Sequence, residues 1–529
     1  MASSTANTAT FLAGPGQPAP GPEVASTPFL AAEQSLAAGH PLHPAAKSRQ
    51  PMTPEELRRY APELGAAFPL HWFQADRSIV AEDSALATGA AELLDGLLDG
   101  DQPAGPGGRV LVPTHPWQAA RLLERPEVAE LLEAGLLEDL GRRGRPWSAT
   151  SSVRTVYRAD APFMLKLSLG VRITNSVRVN LAKELARGVE VHRLLAAGLD
   201  PATVEAFTAT LAAAGADPGG YRWFPVHDWQ WEHMVIPLFA PALAAPRVTE
   251  FLTGIVAGDP FLGADRRLVL LGEVASLAVP HPDYETLPGA PYQYRELLGC
   301  IWRESLHGKL PPGERAMTMA ALHHDRTGTP VLGALVERSG LAAGDWLAAL
   351  FEAVLPPLLH MLYRYGTVFS PHGENAILVH RDGVPTRLAI KDFDDVNVSD
   401  QPLPELRAAL APDVAEVLLT EPPEWLCQFL WAGLFVGHLR HLADLAEDHL
   451  GVGERRFWTM ARAAVLGYQD RFPELADRFK TFDLLTPRFA KICLNRNRLL
   501  QDGYADRPER PHAATFGTVR NALDEVAEP

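Results

Sequence analysis

Cysteine is scarce in this chain: among 529 residues only Cys300, Cys427 and Cys493 carry a thiol. Three scattered thiols build neither a disulfide framework nor a cysteine-rich metal centre, and they fit a reducing compartment, so a cytoplasmic protein is expected. Positive charge is short as well, with 48 Lys and Arg against 64 Asp and Glu and a formal net charge of -16. That balance disfavours a nucleic-acid partner, because phosphate-backbone affinity depends on an excess of cations. No Lys or Arg precedes Lys47, so the positive n-region of a secretory signal and the arginines of a transit peptide are both missing. No apolar run reaches the ~18 to 20 residues that span a bilayer, and no membrane partner is expected. The phosphate loop G-x-x-x-x-G-K-[ST], a convincing G-x-G-x-x-G unit and the G-x-S-x-G elbow are absent too. Their absence disfavours a P-loop ATPase, a dinucleotide oxidoreductase and a serine hydrolase.

What is present is a globular composition, 47% hydrophobic and 21% charged, in a chain long enough for two to four domains. The Ala-, Pro-, Gly-, Ser- and Thr-rich start predicts a disordered tail over 1–30. A mainly helical domain is expected over 31–147, with Thr53-Pro-Glu-Glu56 as a helix start and leucine periodicity from Arg121 to Leu140. Within it, Val110-Leu-Val-Pro-Thr-His115-Pro-Trp-Gln118 reads as a strand feeding a turn, echoed without a regular repeat at Val226-His-Asp-Trp-Gln230. Residues 148–345 mix strands and helices, with Val331 to Glu337 as one more strand. An apolar helix from Trp346 to Tyr365 opens a last domain, 346–510, that is almost wholly helical beyond residue 403. A polar tail is expected over 511–529.

Two constellations carry chemistry. Between residues 148 and 178 the chain crowds Ser152, Arg154, Thr155, Arg158, Lys166, Thr174 and Arg178 into an apolar hairpin. Val153, Thr155 and Tyr157 alternate with polar neighbours, and Asp160-Ala-Pro162 supplies a turn before Phe163, Leu165, Leu167 and Leu169, so Arg154 and Lys166 are expected to meet across two strands. Thr174 or Asn175 then reads as a helix cap, placing Arg178 in the first helical turn, where the helix dipole favours an anion. In an acidic protein such a cluster is a local anion site, for nucleotide phosphates and a carboxylate.

The second constellation is Ala376 to His380 and Arg387 to Ile390, joined by Arg381-Asp-Gly383 as a hairpin. Folding about that turn brings Asn375 to Lys391 and Asp392, an amide oxygen and a carboxylate suited to Mg²⁺. A kinase-like phosphotransferase uses such a pair, but it also needs an Asp base several residues before the Asn, and here Glu374 is the immediate neighbour. His438-Leu-Arg-His441 and His323-His324-Asp325 have metal-compatible spacing without the glutamate of a zincin helix.

Taken in order, His40-Pro-Leu-His-Pro-Ala-Ala-Lys47-Ser-Arg49, Tyr60-Ala-Pro-Glu63, His115-Pro-Trp-Gln118, Thr150 to Thr155, Lys166-Leu-Ser-Leu169, Ile173-Thr-Asn175, His372-Gly-Glu-Asn375 and Lys391-Asp392-Phe393 resemble the siderophore synthetases that work independently of nonribosomal peptide synthetases, the aerobactin synthetase (IucA/IucC) family. The resemblance runs from about residue 39 to 500. It implies an α+β, cupped-hand fold of thumb, fingers and palm with a largely helical C-terminal region. It also implies an enzyme that uses ATP and Mg²⁺ to adenylate a carboxylate, commonly of citrate, and joins it to an amine or alcohol with release of AMP and pyrophosphate. Carried over, Ser152, Arg154, Thr155, Lys166, His372, Asn375 and Asp392 bind ATP, while Thr174, Arg178, His372 and Lys491 bind the carboxylate substrate. Arg178, His372 and Lys166 are the catalytic candidates. Where the family often has Glu two residues before the histidine and Gln before the asparagine, this chain has Ser370 and Glu374, so Glu374 is expected to join Asn375 and Asp392 at the metal. The last hundred residues resemble the segment shared with ferric-siderophore reductases, without a terminal cysteine cluster for iron and sulfur. A homodimer is implied. The alternatives are a kinase-like phosphotransferase and a non-catalytic citrate- or siderophore-binding protein.

Overall fold

Strands, rather than the expected helices, dominate residues 67–149. In the computed structural model, residues 2–14, 28–41, 43, 45–94, 97–98, 108–173, 176–178, 241–263, 267–279, 298–306, 308–324, 329–393, 396–401, 403–415, 418–493 and 514–526 are described. Ala67–Asp76, rich in aromatic residues and buried over most of its length, pairs on one side with Arg109–Thr114 and on the other with Leu137–Ala149. The leucine periodicity that suggested a helix up to Leu140 holds only for two short helices, Pro116–Leu122 and Pro126–Glu133. Beyond them Gly141 and Gly144 take positive φ (73° and 78°) in a strand whose register with Ala67–Asp76 shifts twice. Glycine-rich, bulged backbone cannot sustain a helix but closes a twisted sheet.

The sheet has eight strands in the order Ala81–Ser84, Glu273–Ala278, Gly299–Glu304, Phe163–Leu167, Thr155–Tyr157, Leu137–Ala149, Ala67–Asp76 and Arg109–Thr114. It runs across the boundary expected at 147/148. A second sheet of four strands holds Glu314–Thr318, Ala376–Arg381, Val384–Lys391 and Leu268–Leu271, the last pair parallel. Its hairpin is the expected one: Asp382 and Gly383 both take positive φ (50° and 88°), the signature of a two-residue hairpin loop. Trp346 Nε1 donates to the Gly383 carbonyl at 2.8 Å, tying the turn to the helix Ala343–Tyr365. That helix is long and apolar enough to cross a membrane, yet most of it is buried in the protein's own core.

The chain passes from one sheet to the other across a single residue, Gly272. Leu271 pairs with Lys391 in the small sheet, and Glu273 pairs with Arg303 in the large one. A Cβ at Gly272 would sit 2.4 Å from Thr249 Cγ2, so only glycine fits this corner.

Three further expectations give way. Ala2–Ala13 is a helix, not a tail; Phe11 is buried against Ala37, Leu57 and Ala61. Val331–Ser339 is a helix, capped by Gly340 at φ 67°. Ala514–Arg520 pairs with Arg488–Cys493, and Leu523 is buried, so the polar stretch from 514 onward is folded. The helical region beyond 403 is as expected, with an eleven-residue π-helix at Phe429–Leu439.

Candidate functional site

The site lies where the two sheets meet. On the large sheet, Lys166 sits opposite Thr155 on one neighbouring strand and opposite Ile301 on the other. Period two puts Arg303 on the same face as Ile301, and Glu273 directly across from Arg303. Asp392 arrives from the end of the small sheet. Lys166 Nζ donates to Glu273 Oε1 at 2.8 Å and to Asp392 Oδ1 at 2.7 Å. Arg303 Nη2 donates to the same two oxygens at 2.6 and 2.8 Å. The side chains of Glu273, Lys166 and Arg303 are 0%, 1% and 4% exposed, and that of Asp392 is 29% exposed. Burial raises the Asp392 carboxyl, but Lys166, Arg303 and Arg154 override it and hold the group well below the usual carboxylate range.

Arg154 reaches this corner from a strained turn. Val153 takes φ 67°, which is uncommon for a β-branched residue, and Asp392 takes φ 70°; each conformation costs about 1–2 kcal/mol. Bonds on every side hold the turn. Thr155 N donates to Ser152 Oγ at 3.2 Å, Thr150 Oγ1 to the Thr155 carbonyl at 2.8 Å, and Leu167 N to the Arg154 carbonyl at 3.0 Å. Buried Glu33 accepts from Ser151 Oγ through one oxygen (2.6 Å) and from Lys391 Nζ through the other (2.6 Å), joining the turn to the strand that delivers Asp392. Val153 therefore lies in a turn, and the expected strand begins only at Thr155.

The loop before the hairpin supplies the other half. His372 organises it: its Nδ1 accepts from Glu374 N at 3.2 Å, and its carbonyl accepts from Asn375 N and Ala376 N, both at 2.9 Å. Asn375 Nδ2 donates to the Ser370 carbonyl at 3.2 Å, which leaves the amide oxygen as the accepting end. Lys391 N donates to the Asn375 carbonyl at 3.1 Å, so Asn375 and Asp392 lie at one end of the hairpin, as the sequence predicts. Behind the loop, a Cβ on Gly373 would stand 3.0 Å from His438 Nδ1 on the π-helix. His323 stacks on His438 with ring centroids 4.5 Å apart. Burial, chiefly, pushes His40 and His323 down to about 4; His372 adds to the effect at His40 while Glu374 opposes it. These imidazoles are neutral at pH 7.

The structure thus brings Arg154, Thr155, Lys166, Asn375 and Asp392 together around residues the sequence did not flag, Glu273 and Arg303. Thr174 and the His227-Asp-Trp-Gln230 motif lie outside the described residues, as does the Arg178 side chain. The Arg178 backbone is not in a first helical turn: Ser176–Arg178 is a strand paired with Leu169–Ile173, consistent with the β-branched residues Val171, Ile173 and Val177. Lys491 is exposed on the Arg488–Cys493 strand. Several residues of the remaining family-like motifs make buried contacts within the protein. Lys47 and Arg49 donate to buried Glu63 at 2.7 and 3.0 Å. His115 caps its helix through Nδ1, and Gln118 accepts from Gly170 N at 2.7 Å.

Known proteins share this chain's sequence and fold. The IucA / IucC family matches residues 28–200, 193–247 and 240–324, and the ferric iron reductase FhuF-like transporter family matches residues 344–507. The rhizobactin siderophore biosynthesis protein RhbF of Rhizobium meliloti (strain 1021) is 38% identical over 443 residues, covering 72% of this chain and 73% of that protein. The solved structure of aerobactin synthetase IucC from Klebsiella pneumoniae superposes with a TM-score of 0.72 at 26% identity, covering 94% of this chain and 77% of that one. ATP-bound aerobactin synthetase IucA from the same organism shares the fold, with a TM-score of 0.70 at 22% identity over 98% of this chain and 81% of that one. With its α+β architecture and this degree of likeness, the chain belongs to the IucA/IucC family, as an enzyme of siderophore biosynthesis.

Proposed function

We propose that the protein uses ATP to adenylate a carboxylate of citrate or a citrate derivative and condenses it with an amine or alcohol. In the first step a carboxylate oxygen attacks the α-phosphorus, and the bond to the β-phosphate oxygen breaks with loss of pyrophosphate. In the second the amine or hydroxyl attacks the acyl carbon, AMP leaves, and the nucleophile's proton is given up. The observation that carries this reading is the buried cationic corner of Lys166 with Arg154 and Arg303, set against the partly exposed Asp392. Such fixed cations are preorganised for charge that grows on phosphates. The presence of ATP in the IucA neighbour supports the same reading.

Mg²⁺ fits the donors at the hairpin end. Asp392 and the Asn375 oxygen are hard oxygen ligands, and Glu374 is the third candidate. Among the described residues no group of three acidic, imidazole or thiol side chains is arranged to hold a metal alone, which suits an ion that keeps waters and substrate phosphates. Bound there, it would offset charge on the phosphates. In this reading Ser152, Arg154, Thr155 and Lys166 hold the nucleotide. Thr174, Arg178 and Lys491 orient the acid, and His372 positions it or takes the nucleophile's proton. The reading carries with it a homodimer working in the cytoplasm, where ATP is plentiful.

Incubation with ATP, Mg²⁺, citrate and a panel of diamines, hydroxylated amines and amino acids tests it by mass spectrometry. AMP, pyrophosphate and a citryl amide or ester are expected. ADP without AMP would mark a phosphotransferase, and citrate binding without nucleotide turnover a binding protein.

A further inference from the structure

The corner holds one cation more than the sequence motifs account for. We propose that Arg303 is a phosphate-binding residue of the same rank as Lys166, and that Glu273 is the buried counter-ion that holds both cations in place before nucleotide arrives. The proposal rests on the ATP-dependent reading above.

Lys166 and Arg303 bridge the same two oxygens, Glu273 Oε1 and Asp392 Oδ1, all at 2.6–2.8 Å. They stand as diagonal neighbours on adjacent strands, Lys166 opposite Ile301 and Arg303 two residues on, so their side chains share one face. The two carboxylates are not equivalent. Glu273 is fully buried, whereas the Asp392 side chain is 29% exposed and is the one acid of the four-charge cluster within reach of solvent. Asp392 is therefore the exchangeable partner. Were its carboxylate to hold a divalent cation instead, Lys166 and Arg303 would keep their bonds to Glu273, and the donors they now give to Asp392 would be available to phosphate oxygens. Glu273 Oε2 is buried without a hydrogen-bond partner, so the acid keeps an unused oxygen to steady the cations after that exchange.

A purely structural role accounts poorly for this arrangement. Removing four charges from water costs several kcal/mol per ion, and apolar side chains of similar volume close such a corner at least as well. A guanidinium fork also matches phosphate oxygens in pairs, which an ammonium does not.

Calorimetric titration of the full chain with ATP in Mg²⁺, and separately with adenosine, tests the assignment in wild type, Arg303→Gln, Arg303→Lys and Glu273→Gln. Loss of charge-assisted bonds to phosphate predicts ATP binding weakened roughly ten- to a hundredfold in Arg303→Gln, with adenosine binding changed less than about twofold. Arg303→Lys recovers part of the loss. Glu273→Gln, which unbalances the cluster, alters ATP affinity without altering that for adenosine. If Arg303→Gln does not fold, Arg303→Lys decides the matter: an ATP-to-adenosine affinity ratio equal to wild type overturns the proposal. An unchanged ratio in folded Arg303→Gln overturns it while the functional reading stands. Wild-type protein that binds no ATP overturns both.

Discussion

Gly272→Ala is the sharpest single test of how the corner is built. The new methyl would lie 2.4 Å from Thr249 Cγ2 and 3.0 Å from Glu304 Oε2, inside the distance at which one neighbour must move. Neither yields easily. Thr249 Oγ1 accepts from Glu273 N at 2.8 Å and donates to the Glu273 carbonyl at 3.0 Å, and Glu304 Oε2 accepts from Gly272 N at 2.9 Å. Rotating Thr249 breaks both bonds that fix Glu273, the acid between Lys166 and Arg303. Overpacking of this kind costs about 1–3 kcal/mol. The expected result is a lower denaturant midpoint with an unchanged m-value, together with weakened ATP binding because the displaced carboxylate mispositions both cations. Thr249→Ser keeps the hydroxyl and removes the offending methyl, so the double variant recovers most of both losses, and the two changes are non-additive. Wild-type stability and ATP affinity in Gly272→Ala, or additive losses in the double variant, would show that the Gly272–Thr249 contact does not set the position of Glu273.

Arg154→Ala and Asp392→Ala each abolish adenylation, read by hydroxylamine trapping, while the protein stays folded by circular dichroism; near-normal trapping in either removes that residue from the site. Glu63→Gln leaves Lys47 and Arg49 buried with no full counter-charge and destabilises by about 3–5 kcal/mol, measured by urea unfolding, with ATP affinity unchanged in the remaining folded protein. Burial holds His115 neutral by lowering its pKa from 6.5 to about 3. Between those values the unfolded chain binds a proton that the native state does not, so stability is full above pH 6.5 and falls as the pH drops towards 3. His115→Asn keeps a side-chain oxygen for the helix cap without the titration, and flattens the urea-midpoint profile over that range; an unchanged slope contradicts this.

What the sequence exposes and what it hides follow from the range of the interactions. The second hairpin is legible because period-two runs flank an Asp-Gly turn, and Asn375 and Asp392 meet at its open end by local geometry alone. The helix Ala343–Tyr365 is legible from its long apolar run. The strands of residues 67–149 are hidden because leucine, glutamate and arginine favour helices locally, and the pairing that overrides them is with segments far along the chain. Glu273 and Arg303 are hidden for the same reason. Each is a single charge in a short strand, and only the register of Glu273–Ala278 on Gly299–Glu304 and the one-residue crossing at Gly272 bring them to Lys166. Leu268-Val-Leu-Leu-Gly272-Glu273, two strand runs split by a glycine, was the available signal. Conversely, the Lys47, Arg49 and Glu63 motifs look functional in sequence because buried ion pairs constrain residue type as tightly as chemistry does.

Adenylation requires that the acid's own oxygen attack the α-phosphorus. Citrate labelled with ¹⁸O in its carboxylates, turned over with ATP and an accepted amine, tests this directly by mass spectrometry of the nucleotide product. AMP carrying one ¹⁸O from the acid is expected; unlabelled AMP, or label appearing only in inorganic phosphate beside ADP, would contradict adenylation.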